Sequence, residues 1–331
     1  MAAMSSTRSR RDLLINVSLA AGSIMLLALA GELALRFVLP NRNPFERNAE
    51  IGYRLKRSFE GTYPWVPVRT DAAGRRVPAD FAGVAGGRYL FVGDSVTFGF
   101  GVLAEESFPV RFGELVGRPG EVANAAVPGY NLEQVLAVLG DNLARQRPEL
   151  IVYGLVVNDL YGADSPLGYE DIDPHANRMQ AGGLLSRSLL IAFIQRRWTR
   201  LARRFGDPES APSGSAVVLD FDQELDRATV QAFDRQWAVL ESVGTTTGIP
   251  VVVVVLPFRR QVEQLGTPRA LQRFVQARCV DSPIRCLDPI EVLRVQLGDG
   301  LFNGTSSFHF NPRGHGIIAA WLIEQLEMDA Q

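Results

Sequence analysis

The apolar positions of this chain follow two patterns that alternate along most of its length. In the first, nearly every residue of a short run is hydrophobic: "RYLFVGD" (88–94), "EVANAAV" (121–127), "ELIVYGLVVND" (149–159), "IPVVVVVLP" (249–257) and "IRCLDP" (284–289). Runs of this length without polar alternation predict strands buried on both faces. In the second, apolar residues recur at helical spacing: 105–117, 131–146, 223–248, 268–278 and 311–328. Strands separated by helices imply a parallel sheet covered on both sides. The expected fold is therefore α/β and doubly wound, with about five strands in a three-layer α/β/α arrangement.

The alternation is interrupted at about 160–221. An interruption of this length is functional or disordered more often than not. Within it, "LLIAFIQRRWTRLARRF" (189–205) puts Ile191, Ile194, Trp198, Leu201 and Phe205 on one helical face and five arginines on the rest. That helix suits a lid with a solvated basic face, or an anionic membrane surface. "DPESAPSGS" (207–215) reads as a loop. Residues 40–86, rich in Pro, Gly and Arg, read as a linker and lead-in to a catalytic domain over 87–331.

One apolar stretch is of another kind. Residues 13–30 carry no charge and follow Arg8, Arg10 and Arg11. As a helix they span about 27 Å, close to a bilayer's hydrocarbon core of ~30 Å. The basic flank orients the N-terminus to the cytoplasm and the body outside it. "ALA" (28–30) also fits a signal-peptide cleavage site, but the apolar stretch continues through "ELALRFVLP" (32–40) and favours an uncleaved anchor over 1–39. Glu32 and Arg36, four apart, can pair near the interface.

The net charge of −2 gives no footprint for nucleic acid. Cys279 and Cys286, seven apart with a proline between them, suit a disulfide in an oxidising compartment or two buried thiols. No ligand cluster points to a metal, and neither a dinucleotide nor a phosphate fingerprint points to a cofactor.

In an open parallel sheet, ligands bind beyond the carboxyl ends of the strands. The residues expected there are Asp94 and Ser95 after the first strand, Gly129 after the second, Asn158 and Asp159 after the third, and His309 before the last helix. Serine, histidine, glycine and asparagine on one edge suit acyl transfer. A serine hydroxyl needs a base, which histidine supplies near neutrality. The oxyanion needs fixed donors: the N–H groups of Ser95 and Gly129 and the Asn158 amide supply three. Asp94 and Asp159 are expected to shape the site through hydrogen bonds. His315 falls in the first turn of the last helix, where packing is its expected role, and His175 lies in the interruption.

"GDSVTFG" (93–99), "NAAVPGYN" (124–131), "VVND" (156–159) and "HFNPRGH" (309–315), in this order, resemble the SGNH (GDSL-type) hydrolase superfamily from residue 88 onward, in its membrane-anchored, extracytoplasmic form. The resemblance implies a flavodoxin-like sheet and hydrolysis or transfer of small acyl groups on carbohydrates or lipids. It implies Ser95 as nucleophile, Gly129 and Asn158 as oxyanion donors and His309 as base. The family's usual aspartate three residues before the histidine is here Ser306. Three arrangements follow: a Ser95–His309 dyad with a backbone carbonyl or the Ser306 hydroxyl holding the ring, an acid from elsewhere such as Asp299, or a weakly active member. The function expected is serine-dependent hydrolysis of acyl esters outside the cytoplasm. The alternatives are O-acyl transfer to a polysaccharide and an inert SGNH-fold binding protein.

Overall fold

The computed structural model describes residues 4–38, 43–63, 65–81, 87–161, 168, 190, 227–304 and 306–327. The basic amphipathic segment 191–205, the stretch 207–215 and His175 lie outside the described residues. The chain divides into two compact units, Asn41–Asp173 with Val218–Gln331, and Met1–Pro40 with Pro174–Val217.

In the larger unit the five apolar runs form β6 (Tyr89–Gly93), β7 (Val122–Asn124), β8 (Leu150–Leu155), β9 (Val251–Val255) and β10 (Arg285–Leu287). They pair in parallel in the order β10-β9-β8-β6-β7. Successive residues of each strand feed opposite faces, and both faces are apolar. Val251, Val253 and Val255 pack with Leu90, Val92, Ile151 and Tyr153 in one core, while Val252, Val254, Phe91 and Val152 pack in the other. Each such side chain contributes about 1.5–3 kcal/mol by leaving water.

The helices close both faces. On the first core lie α4 (Leu132–Leu143), α6 (Arg227–Thr247) and α8 (Ala270–Cys279), through Leu132, Val135, Phe233, Trp237 and Leu271. On the second lie α3 (Phe108–Leu115), α9 (Ile290–Val295) and α10 (Pro312–Glu327), through Phe108, Phe112, Ile290, Leu293 and Ile318. The short helices α2 (Ser95–Phe98), α5 (Asn158–Tyr161) and α7 (Arg259–Glu263) follow β6, β8 and β9. The architecture is the doubly wound α/β fold that the apolar pattern predicts. Cys279 and Cys286 form a disulfide between the end of α8 and β10.

The lead-in contributes more to the sheet than its composition suggests. It folds into β1 (Phe45–Asn48), β2 (Gly52–Leu55), β3 (Glu60–Thr62), β4 (Pro67–Thr70) and β5 (Arg76–Val77). β1 and β2 pair as a separate hairpin, and β5-β4-β3 extend the sheet antiparallel from β7, making eight strands. Phe45, Tyr53, Phe59 and Val68 bury this layer in the first core.

In the smaller unit, α1 (Met4–Val38) contains the apolar span Ile15–Ala34, with a mean hydropathy of 1.8 and none of it buried. By length and composition it suits a membrane anchor or a signal sequence. Glu32 accepts a hydrogen bond from the Leu190 amide (2.9 Å). The Arg36 side chain, expected to pair with Glu32, lies outside the described residues.

Candidate active site

The site grows from the end of β6. Gly93 has φ of +147°, and a Cβ there would stand 2.5 Å from Thr97 Oγ1 and 2.7 Å from the Gly154 carbonyl, so only glycine allows the chain to turn so sharply from strand into α2. Asp94 caps that helix: its Oδ1 accepts from the Val96 amide (2.8 Å). Ser95 is the first helical residue, so its own N–H has no acceptor within the helix. The residue is 8% exposed.

The β7 loop is tied to this turn. Asn124 Nδ2 donates to the Thr97 carbonyl (3.1 Å) and the Val127 amide to the Gly93 carbonyl (3.0 Å). Gly129, at φ +84°, adopts a conformation open to few other residues. The lead-in braces the same loop: Tyr53 Oη donates to the Pro128 carbonyl (2.8 Å), and Tyr130 Oη donates to the Tyr53 carbonyl. Asn131 then ends the loop by capping α4, accepting from the Gln134 amide (3.0 Å). Asn158 opens α5 at the carboxyl end of β8; its side chain lies outside those described.

His309 comes from a loop between α9 and α10. A bridge between Phe302 and Phe310 closes this loop. The Asn303 amide donates to the His309 carbonyl (2.9 Å) and the Arg259 amide to the Ser307 carbonyl (2.7 Å). His309 Nε2 stands 2.9 Å from Ser95 Oγ, and its Nδ1 stands 3.0 Å from Ser306 Oγ. Ser306 Oγ also accepts from the His309 amide (3.0 Å). Asp299, the acid expected as an alternative partner for the ring, is exposed to solvent.

These contacts constrain the protons. Ser95 has one hydroxyl proton and two acceptors, His309 Nε2 and Asp94 Oδ2, the latter at 3.1 Å. When it donates to Nε2, the ring's own proton sits on Nδ1 and is donated to Ser306 Oγ. The ring lies flat against Phe100 (centroids 4.4 Å apart, 25° between planes), with Phe308 on another side (4.4 Å). Burial lowers the His309 pKa from 6.5 to about 4. Ser306 presents no charge to offset it.

Asp159 is fully buried, and its Oδ2 accepts from the Val156 amide (2.7 Å). Burial first, then the negative charge of Asp94, pushes its pKa well above the usual carboxylate range. Tyr153 faces it closely enough to favour ionisation, yet among the described residues neither the tyrosine hydroxyl nor Asp159 Oδ1 has a partner of good hydrogen-bonding geometry. Asp159 therefore props the β8 turn from behind. His315, in the first turn of α10, is 1% exposed; its Nδ1 accepts from the Phe108 amide (3.3 Å).

A cleft of about 430 Å³ opens over the histidine, lined by Trp65, Phe100, Asn303, Gly304, Ser306 and His309. Trp65 is 64% exposed and meets the Phe100 ring edge-on at 5.6 Å. Neither ring was singled out in the sequence. Trp65 stands in the lead-in, far from every motif, and Phe100 is one of two phenylalanines in "GDSVTFGFG". Their one local signal is position: an aromatic just past the Ser95 turn, and a tryptophan within the short apolar run "YPWVPV" (63–68) of the lead-in.

The model of the GDSL-like Lipase/Acylhydrolase family matches residues 91–317. No curated protein matches this chain. Similar solved structures include a member of the lipolytic protein G-D-S-L family from Veillonella parvula DSM 2008 (12% identity, TM-score 0.40, covering 71% of this chain and 96% of that one). An acetyl xylan esterase is 13% identical, with a TM-score of 0.43, over 72% of this chain and 98% of its own. An acetylxylan esterase from Geobacillus stearothermophilus is 11% identical, with a TM-score of 0.42, over 73% and 95%. The match of the family model spans more than half of the chain and takes in the Ser95 turn, the Gly129 loop, the start of α5 and the His309 loop: the protein belongs to the GDSL-like lipase/acylhydrolase family.

Proposed function

We propose that the protein is a serine esterase that hydrolyses short-chain acyl esters, with Ser95 as nucleophile and His309 as base. The observation that carries this reading is the continuous chain Ser95 Oγ, His309 Nε2, His309 Nδ1, Ser306 Oγ, with contacts of 2.9 and 3.0 Å on the two sides of the ring. Ser95 Oγ attacks the ester carbonyl while its proton passes to Nε2. The new C–O bond leaves a tetrahedral oxyanion facing the N–H groups of Ser95 and Gly129 and the Asn158 amide. Collapse expels the alcohol, which takes the proton from Nε2. Water then attacks the acyl-enzyme, giving its proton to Nε2, and a second collapse releases the acid and returns the proton to Ser95. Ser306 accepts from Nδ1–H throughout and fixes the tautomer, in the place where the family usually has an aspartate. Asp94 and Asp159 shape the turns and take no proton from substrate.

The cleft supports a carbohydrate as the alcohol. An exposed indole face beside the base suits the apolar face of a sugar ring, and Asn303, Gly304 and Ser306 offer polar groups at its edge. The disulfide and the exposed apolar helix support a body outside the cytoplasm, held to the membrane by α1. Two measurements test the mechanism. A fluorophosphonate should label Ser95, and Ser95→Ala should abolish both labelling and turnover of an aryl acetate. Undiminished turnover in that variant overturns the assignment.

A further inference from the structure

Arg76 is 1% exposed, yet it carries a charge into the interior. Its Nη1 donates to the carbonyls of Phe98 and Gly99 and its Nη2 to that of Val102, each at 2.6 Å. The guanidinium also lies over the Phe98 ring, 4.4 Å from its centre. These acceptors are neutral; Glu105 and Glu106 supply negative charge at longer range. Buried cations are costly, and an apolar side chain of similar volume often stabilises a fold as well or better. The three acceptors indicate what the charge achieves here.

All three carbonyls belong to 98–102, the loop that leaves the nucleophile helix. Within it the Gly99 and Phe100 amides donate back to the Ser95 carbonyl (3.1 and 2.9 Å). Phe100 then lies flat against His309. The backbone of Arg76 is itself fixed: β5 pairs with β7 at Arg76 and Asn124, the residue whose amide holds the Thr97 carbonyl. One guanidinium thus connects the strand behind the Gly129 loop, the turn that carries Ser95, and the ring that backs His309.

We infer that Arg76 is a positioning residue that clamps the 98–102 loop and so sets Ser95 and, through Phe100, the desolvated His309 ring in attack geometry. The inference rests on the proposed roles of Ser95 and His309. Three carbonyls in different directions need a planar fork of donors; lysine offers one compact ammonium and methionine none. Among the described residues, the titratable groups around these elements include Asp94 beyond Ser95, His315, which feels the charges of both Arg76 and His309, and Arg259, which donates to the Gly304 and Ser307 carbonyls of the His309 loop.

The test uses the full chain with Arg76→Met and Arg76→Lys, and reads two quantities. The first is the His309 pKa, from the imidazole C–H resonances across pH. The second is kcat and KM on an aryl acetate, per site titrated with fluorophosphonate. With the clamp gone, water reaches the ring, so Arg76→Met should raise the His309 pKa by about one unit or more towards its ordinary value. Its kcat should fall about tenfold or more, with KM within about twofold, as expected from misplaced reacting atoms. Arg76→Lys should fall between. A folded Arg76→Met protein with the His309 pKa and per-site kcat of the wild type overturns the inference. If that variant does not fold, a fully wild-type Arg76→Lys overturns it instead. A wild-type protein that turns over no ester, but whose His309 pKa still moves on losing Arg76, removes the esterase reading and leaves the clamp standing.

Discussion

The two halves of the proposed dyad are held by different physics. Ser95 stands on a turn fixed by backbone and charge: Gly93 at the strand end, the Asp94 cap, Asn124 from the next strand and the Arg76 fork on the loop beyond. His309 stands on a loop, between aromatic rings, with a neutral hydroxyl at its far nitrogen. The geometry of the proposed nucleophile is over-determined, whereas the proposed base is well placed but weakly supported. Burial holds the His309 pKa down at about 4 in place of 6.5, against the imidazolium that the proposed reaction forms. If Ser95 and His309 act as proposed, the difference locates the weaker half of the site on the base side.

The most drastic way to break the comparison is to remove the base. His309→Ala should lower kcat/KM by about 10³-fold or more on an aryl acetate, because the remaining donors stabilise only the oxyanion. A loss of less than tenfold would mean that another group takes the Ser95 proton. Asp94, 3.1 Å away, is then the next residue to test.

The next experiment sharpens the contrast by repairing the weak side. Ser306→Asp places a carboxylate where Ser306 Oγ meets Nδ1. A negative partner favours the charged ring, so the His309 pKa should rise from about 4. Protonated His309 is inactive as a base, so kcat/KM of the wild type should fall only as pH drops through about 4. In Ser306→Asp that acid limb should move up, while kcat at neutral pH rises about tenfold. An unchanged limb would show that the ring is not limited by its missing charge. Ser306→Ala, which removes only a neutral acceptor, should cost less, about three- to tenfold in kcat.

The same contrast explains how much could be read from the sequence. The five parallel strands were legible because unbroken apolar runs such as 251–255 have few other uses. The positions of Ser95, Gly129 and His309 were legible because each sits in a short motif, the first two after strands and the third just before the last helix. β1 to β5 were not: they are two to four residues long and rich in arginine and glycine, β1 and β2 pair only with each other, and the sheet that β3 to β5 join lies elsewhere in the chain. Ser306 was visible as a departure, but only coordinates put its hydroxyl on the ring nitrogen. Arg76 left no local trace, since nothing in "GRRVP" tells a buried fork from a solvated one, and its acceptors come 22 to 26 residues later. A residue that acts through distant backbone carbonyls has no motif.

Trp65 marks the outer limit of the base side, and its loss should have the smallest effect. Its ring touches Phe100, and Phe100 touches His309, so two roles are separable. As a platform for the sugar of an acetylated oligosaccharide, Trp65 should contribute through stacking worth about 1 kcal/mol. Trp65→Ala should then raise KM for that substrate about fivefold and leave kcat and the aryl acetate parameters near wild type. As a prop for the base, it should instead lower kcat on both substrates and move the acid limb upward, as loosening Phe100 would. Measuring both substrates in the one variant decides between them, and with them how far the support of His309 extends towards the rim of the cleft.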